Sequence, residues 1–266
     1  TIQRVTIRQV NLTPPVVRTD AIQAFVTQET VILTLHCSDG IDATGYAYSI
    51  GTGGSSVVAL LNDHLAPRLI GRDPAHVEAI WRDLFYATHA TAVGVITSLS
   101  LCCIDTALWD WRSRKYNLPL WTKLGGAQEK VKLYTTEGGW LQLSPEQLVD
   151  QALAAQAQGF SGAKIKIGRP HVSEDVARLQ AVREAVGPGF ELMTDANQSF
   201  NRAQGARRAA AFEGLDLAWI EEPFPAEDVR GHAQLREQTA IPIAVGESMY
   251  HLMQFREYLE QGACSI

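Results

Sequence analysis

Cysteine is scarce: Cys37, Cys102, Cys103 and Cys264 are the four in a chain of 266 residues. No two of them form a C-x-x-C pair, so neither a structural zinc site nor a thioredoxin-type motif is indicated. Each is expected to be a small buried hydrophobe in a reducing compartment. Blocks of basic residues are absent and the formal net charge is −6, which argues against nucleic acid or an anionic membrane as partner. No apolar run is long enough to span a bilayer. The longest, AVGVITSLSLCCI from Ala92 to Ile104, is broken by Thr97, Ser98 and Ser100 and falls short of the ~20 residues required. It reads as part of a buried helix. The N-terminus has no secretory pattern and opens on Thr rather than Met, and the cytoplasm is the expected location. Low-complexity segments are absent as well.

What is present is enough for a sizeable core: 46% of the residues are hydrophobic, which fits one large domain or two. Three strand-like runs come first, Val5 to Leu12, Thr30 to His36 and Ala43 to Ile50, with a turn at Ser38-Asp39-Gly40. Helical periods follow over 55–70, 75–86 and about 93–115, the second opened by the Asp73-Pro74 cap pair. Strands followed by helices predict a small α+β domain over residues 1–126. From residue 127 the rhythm becomes strand, helix, strand, helix. Strands are predicted over 131–136, 163–167, 191–195, 217–221 and 243–247, and helices over 145–158, 174–186, 202–212 and 229–238. Such alternation implies parallel strands joined by crossover helices.

Each strand of the second half closes on a charged residue: Lys166, Asp195, Glu221 and Glu247, spaced 29, 26 and 26 residues apart. One βα unit per interval is the period of a (β/α)8 barrel, in which catalytic groups gather at the C-terminal strand ends. Three carboxylates at one mouth repel unless a cation neutralises them. All-oxygen ligands favour Mg²⁺ or Mn²⁺ over zinc. Taken singly, each acid is also readable as a solvated loop residue. In "GAKIKIG" (residues 162–168), Lys164 and Lys166 share one face of a strand and Ile165 and Ile167 the other. Mutual repulsion and burial are expected to lower a lysine pKa toward the range of a general base. The alternative is that the two lysines simply balance the acids.

The pieces "KIKIG", "TDANQSF", "WIEEPF" and "VGESM", in this order, resemble the enolase superfamily, and more closely its mandelate racemase branch. The match runs over nearly the whole chain. It implies an α+β capping domain (1–126) followed by a (β/α)8-type TIM barrel (127–266), here truncated at about the sixth barrel strand near "ACSI". The branch's His–Asp dyad has no counterpart in this chain, which is accordingly read as incomplete. The resemblance further implies that Asp195, Glu221 and Glu247 ligate Mg²⁺, with Mn²⁺ as substitute. Lys164 and Asn197 would hold the substrate carboxylate, and Lys166 would take the proton alpha to it, giving an enediolate stabilised by the metal. Substrate choice would come from capping-domain loops at about 17–25 and 48–55. There Tyr48 is a candidate contact, and Gly51 to Gly54 is readable as a mobile lid or, less well, a phosphate cradle. His89 and Trp140 are weaker candidates; a structural role is preferred for His89. The stretches "GRPHVSEDVARLQAVREAVG" and "EDVRGHAQL" resemble acid-sugar dehydratases of the galactarate and talarate kind. The implied activity is dehydration of a sugar acid by a homo-oligomer, with racemisation or epimerisation of a 2-hydroxy acid as the alternative and a non-catalytic binding barrel as the contrasting reading.

Overall fold

The structure, a computed structural model, describes residues 1–91 and 94–266. These form two units, one built from residues 1–16 and 25–129 and the other from residues 17–24 and 130–266.

The first unit opens with an antiparallel meander, β1 (Ile2–Leu12), β2 (Gln28–Cys37) and β3 (Asp42–Ile50), in that spatial order. Along β2, Val31, Leu33, Leu35 and Cys37 alternate inward, as the period of two requires. The helix predicted over 55–70 begins as α1 (Gly54–Leu60), loosens into a π turn over Leu61–Leu65 and tightens into a 3₁₀ turn over Ala66–Leu69, where Pro67 lacks an N–H. Next come α2 (Val77–Ala87), α3 (Val95–Lys115) and a single turn, α4 (Leu120–Lys123). The predicted start of α3 at Val93 lies outside the described residues. From Val95 on, the apolar run is helical, with Thr97, Ser100, Leu101, Cys103 and Ile104 buried. It lies close on β3 because Gly45 has no Cβ; one placed there would sit 2.0 Å from the Cys103 carbonyl oxygen. Cys37 and Cys103 are buried as expected, but Cys102 is exposed on α3. No helix among the described residues is long and apolar enough to cross a membrane.

The second unit is a five-stranded parallel sheet in chain order: β4 (Tyr134–Thr135), β5 (Gly162–Lys166), β6 (Glu191–Asp195), β7 (Leu217–Glu221) and β8 (Ile243–Ala244). Between them run α5 (Pro145–Ala157), α6 (Val172–Val186), α7 (Arg202–Phe212) and α8 (Val229–Gln238), and α9 (Leu252–Glu260) closes the series. Ile165, Ile167, Leu192 and Ile220 of the sheet pack with Leu148, Leu179, Val182, Phe212 and Leu235 from the helices. The two outer strands of this sheet are shorter than predicted. Ser265 and Ile266 donate to the Ile243 carbonyl (2.8 and 3.2 Å), alongside β8.

Residues 17–24 belong by contact with this second unit. The Leu141 N–H donates to the Thr19 carbonyl (2.8 Å) and the Gln142 amide to the Val17 carbonyl (2.7 Å). At the other side of the same loop, Gly139 lies directly against β5: its carbonyl accepts from the Lys166 N–H (2.7 Å), and a Cβ there would stand 1.9 Å from the Lys164 carbonyl oxygen. Backbone on backbone cannot yield as a flexible side chain can. We therefore expect Gly139→Ala to cost about 1–3 kcal/mol in urea denaturation. Gly214→Ala, where nothing lies within 4 Å, should stay within about 0.5 kcal/mol.

Candidate active site

Strand β5 is buried along its whole length, as a strand inside a parallel sheet is. Ile165 and Ile167 fill the helix-facing side, so Lys164 and Lys166 are left on the other. The ladder then sets what meets them. Lys166 is in register with Asp195, and Asp195 with Glu221. The second pairing depends on a bulge. Leu192 faces Leu217 but Met193 faces Trp219, so Ala218 is an extra residue. Without it Ile220 would stand opposite Asp195, and Glu221 would point into the core.

The side chains close on one another. Lys166 Nζ donates to Asp195 Oδ2 (2.7 Å) and Asn197 Oδ1 (2.8 Å). Lys164 Nζ lies 2.9 Å from Asp195 Oδ2 and 2.8 Å from Glu221 Oε1. Trp219 Nε1 donates to the other Glu221 oxygen (3.1 Å). The Asn197 N–H returns to Asp195 Oδ1 (2.9 Å), and its amide nitrogen reaches Glu247 Oε1 (3.5 Å). Carboxylate oxygens of Asp195, Glu221 and Glu247 lie within 4.8 Å of one another, although Glu247 sits beyond the end of β8 rather than on it.

Burial works against the charge on Asp195, but the two ammonium groups outweigh it and hold its carboxyl below the usual range. For Lys164 burial disfavours the charged form, yet Asp195 and Glu221 more than offset this and the shift is upward. For Lys164 this is the reverse of the lowering expected for a lysine of the pair, because the charges of Asp195 and Glu221 outweigh burial. Shielding from water, then the negative charges of Asp195 and Glu222, push Glu247 up to about 7. Three acids against two ammonium groups leave an excess of negative charge. An all-carboxylate donor set of this kind fits a hard divalent cation.

Behind the site lies a buried ionic group that the sequence reading missed. Arg178 of α6 is 3% exposed; it donates to the carbonyls of Lys166 (2.8 Å) and Trp140 (3.1 Å). Burial holds its pKa down at about 10. Asp175, wholly buried, accepts from the Gly168 and Arg169 N–H groups and from Arg208 Nε. The signal was present: Asp175 and Arg178 occupy two positions of the stripe completed by Leu179, Val182 and Val186, where a helix is otherwise apolar. Trp140, also buried, lies with its ring 5.5 Å from Lys166 Nζ and 5.8 Å from the Arg18 guanidinium.

Tyr48 belongs to the first unit, exposed on β3 opposite Thr30. His89, also in that unit, bonds through Nδ1 to the Tyr86 carbonyl (2.8 Å), a local structural contact. The phosphate-cradle reading of Gly51 to Gly54 fails, because Glu29 already fills that turn: its carboxylate accepts from the Gly54 N–H (2.8 Å) and Ser49 Oγ (3.0 Å).

Comparison with known families agrees with this geometry. The profile "Enolase C-terminal domain-like" matches residues 147–266, and "Mandelate racemase / muconate lactonizing enzyme, N-terminal domain" matches residues 2–125. The chain belongs to the enolase superfamily, in its mandelate racemase branch. Its two units are the capping and α/β-barrel domains of that family. It is 36% identical over 228 residues to the L-talarate/galactarate dehydratase of Salmonella typhimurium, covering 86% of this chain and 56% of that one. A structure of that dehydratase with Mg and L-lyxarohydroxamate superposes with a TM-score of 0.94 at 32% identity, covering 99% of this chain and 68% of the other. To the 3,6-anhydro-alpha-L-galactonate cycloisomerase of Streptomyces coelicolor the identity is 34%, over 90% of this chain and 66% of the relative. A Streptomyces coelicolor racemase solved with bound magnesium gives a TM-score of 0.96 at 32% identity, over 100% of this chain and 74% of the other. The chain thus spans between about half and two thirds of the curated relatives it matches. Members of this superfamily are thereby seen with magnesium, and this member has the acidic trio that could bind it.

Removing the Arg178 guanidinium takes its donor from the buried Lys166 carbonyl, at about 1–3 kcal/mol, while the Trp140 carbonyl keeps the Leu143 N–H (3.2 Å). Arg178→Met should lower stability in urea denaturation by that order, whereas Arg207→Met, on the exposed face of α7, should change it by less than about 0.5 kcal/mol.

Proposed function

We propose that the protein carrying this chain removes the proton alpha to the carboxylate of a sugar acid, and that the outcome is dehydration. The observation that carries the reading is the meeting of Lys164 and Lys166 with Asp195 and Glu221 at the ends of three successive parallel strands. The kinship with sugar-acid dehydratases, those named for L-talarate/galactarate and for arabinonate among them, supports the substrate class.

In this reading Asp195, Glu221 and Glu247 hold Mg²⁺, or Mn²⁺ in its place. When bound, the cation supplies positive charge that offsets the second negative charge developing on the substrate's carboxylate oxygens. Lys164 and Asn197 orient that carboxylate. Lys166 takes the alpha-proton onto Nζ. For this it must be neutral, because an amine accepts a proton only through a free lone pair. Trp140 packs near Lys166 Nζ and limits its exchange with water. A proton alpha to an ionised carboxylate is very weakly acidic, so charge fixed in advance is what lowers the barrier. Racemisation of a 2-hydroxy acid uses the same first step and is favoured by the likeness to the magnesium-bound racemase.

With galactarate and Mg²⁺, the unaltered protein should exchange the alpha-proton for solvent deuterium and release a keto-deoxy acid. Exchange with changed optical rotation and no keto product would establish racemisation instead. Lys166→Ala should reduce exchange at least about 100-fold while Mg²⁺ binding in calorimetry persists. Glu221→Gln should weaken Mg²⁺ binding itself. Undiminished exchange in Lys166→Ala would remove that residue from the mechanism. A protein with neither Mg²⁺ heat nor exchange would be the non-catalytic barrel.

A further inference from the structure

The sheet fixes two of the three acids and not the third. Asp195 and Glu221 are the last residues of β6 and β7 and face each other in register. Strand β8 ends at Ala244, and Gly246, at φ 144°, turns the backbone away before Glu247. Something other than the ladder must hold Glu247 against its fellow acids.

The neighbouring residue, Ser248, is tied twice. Its N–H donates to Glu222 Oε1 (3.2 Å), and its hydroxyl accepts from Gln198 Nε2 (2.7 Å). That same amide nitrogen reaches Glu222 Oε2 (3.3 Å), Gln198 Oε1 accepts from the Ala226 N–H (2.8 Å), and the Gln198 N–H donates to the Glu222 carbonyl (2.7 Å). The Glu222 N–H in turn donates to the Ala244 carbonyl (2.9 Å). The loops after β6, β7 and β8 are therefore joined through one side-chain amide and one carboxylate, the latter on a residue only 2% exposed.

The backbone is bent to make this possible. Among the described residues, Asn197 (φ 44°), Gln198 (φ 64°) and Glu222 (φ 39°) are three of five non-glycine residues with positive φ. Each such conformation costs on the order of 1–3 kcal/mol and persists only where its surroundings over-determine it. A purely structural join between loops needs no such strain; a turn rich in glycine would serve. Here the strain brings Gln198 and Glu222 to the one residue adjacent to the acid that the ladder does not reach.

We infer that Gln198, Glu222 and Ser248 form a clasp that positions Glu247 for cation binding. Gln198 and Glu222 are positioning residues; neither has been assigned a place among the ligands. The inference rests on the reading that Asp195, Glu221 and Glu247 hold the cation, and the test separates the two. Mn²⁺ binding to the unaltered protein is measured by calorimetry, with electron paramagnetic resonance counting the bound ion. Gln198→Ala and Ser248→Ala should each weaken Mn²⁺ affinity about 10–100-fold, the range for residues that orient metal ligands. Ser248→Thr keeps the hydroxyl and should bind like the parent. A merely structural role would shift the melting temperature without this pattern of loss and rescue. If both alanine variants bind within twofold of the parent while Glu247→Gln binds weakly, the clasp is refuted and the ligand reading stands. If the unaltered protein binds no Mn²⁺, the ligand reading falls, and the clasp with it.

Discussion

The carboxylate of Asp195 has no solvent exposure, and both lysine ammonium groups lie within 2.9 Å of one of its oxygens. A buried carboxylate is tolerable only when paired, and a buried ammonium likewise. Lys164, Lys166 and Asp195 therefore require one another, and the parallel ladder is what brings them together without side-chain search. The bulge at Ala218 adds Glu221 to the same face. The site is in this sense a property of the sheet: change the register by one residue and its charged groups point among Ile165, Ile220 and the helices.

Support for the ladder comes from behind. Arg178 pins the carbonyls at the end of β5 and at Trp140, and Asp175 ties down the turn that follows through Gly168 and Arg169. Beyond the strand ends the ladder gives out, and side chains take over its task at the expense of backbone strain at Asn197, Gln198 and Glu222. Two ways of holding an acid thus coexist on one rim. Asp195 and Glu221 are fixed by main-chain pairing, whereas Glu247 is reached by the Asn197 amide (3.5 Å) and, on the inference above, held through the contacts of Ser248.

Much of this was legible in the sequence, for physical reasons. Strands over 191–195 and 217–221 and helices over 202–212 and 229–238 stand where periodicity puts them, because the strands have a ladder partner on each side and the helices open on the side-chain caps of Asn201 and Asp228. The lysines and acids announced themselves as charges at matched phase in otherwise apolar strands. What was not legible depended on partners distant in the chain. The outer strands of the second sheet are shorter than periodicity suggests, and α9 was not foreseen. Residues 17–24 read as part of the first domain, yet their backbone bonds lie with residues 141–142. The direction of the Lys164 shift depended on Asp195 and Glu221 outweighing burial, which spacing alone cannot say. Likewise, nothing in Gly51 to Gly54 reveals that Glu29 occupies the turn.

The central claim is that the trio at the rim is a cation site whose negative charge the two lysines offset only in part. Anomalous diffraction from crystals grown with Mn²⁺ tests it most directly. The account predicts one strong peak at about 2.0–2.2 Å from carboxylate oxygens of Asp195, Glu221 and Glu247, with Lys164 Nζ withdrawn from Asp195. A peak elsewhere, or none while Lys164 and Lys166 keep their bonds to Asp195, would contradict it.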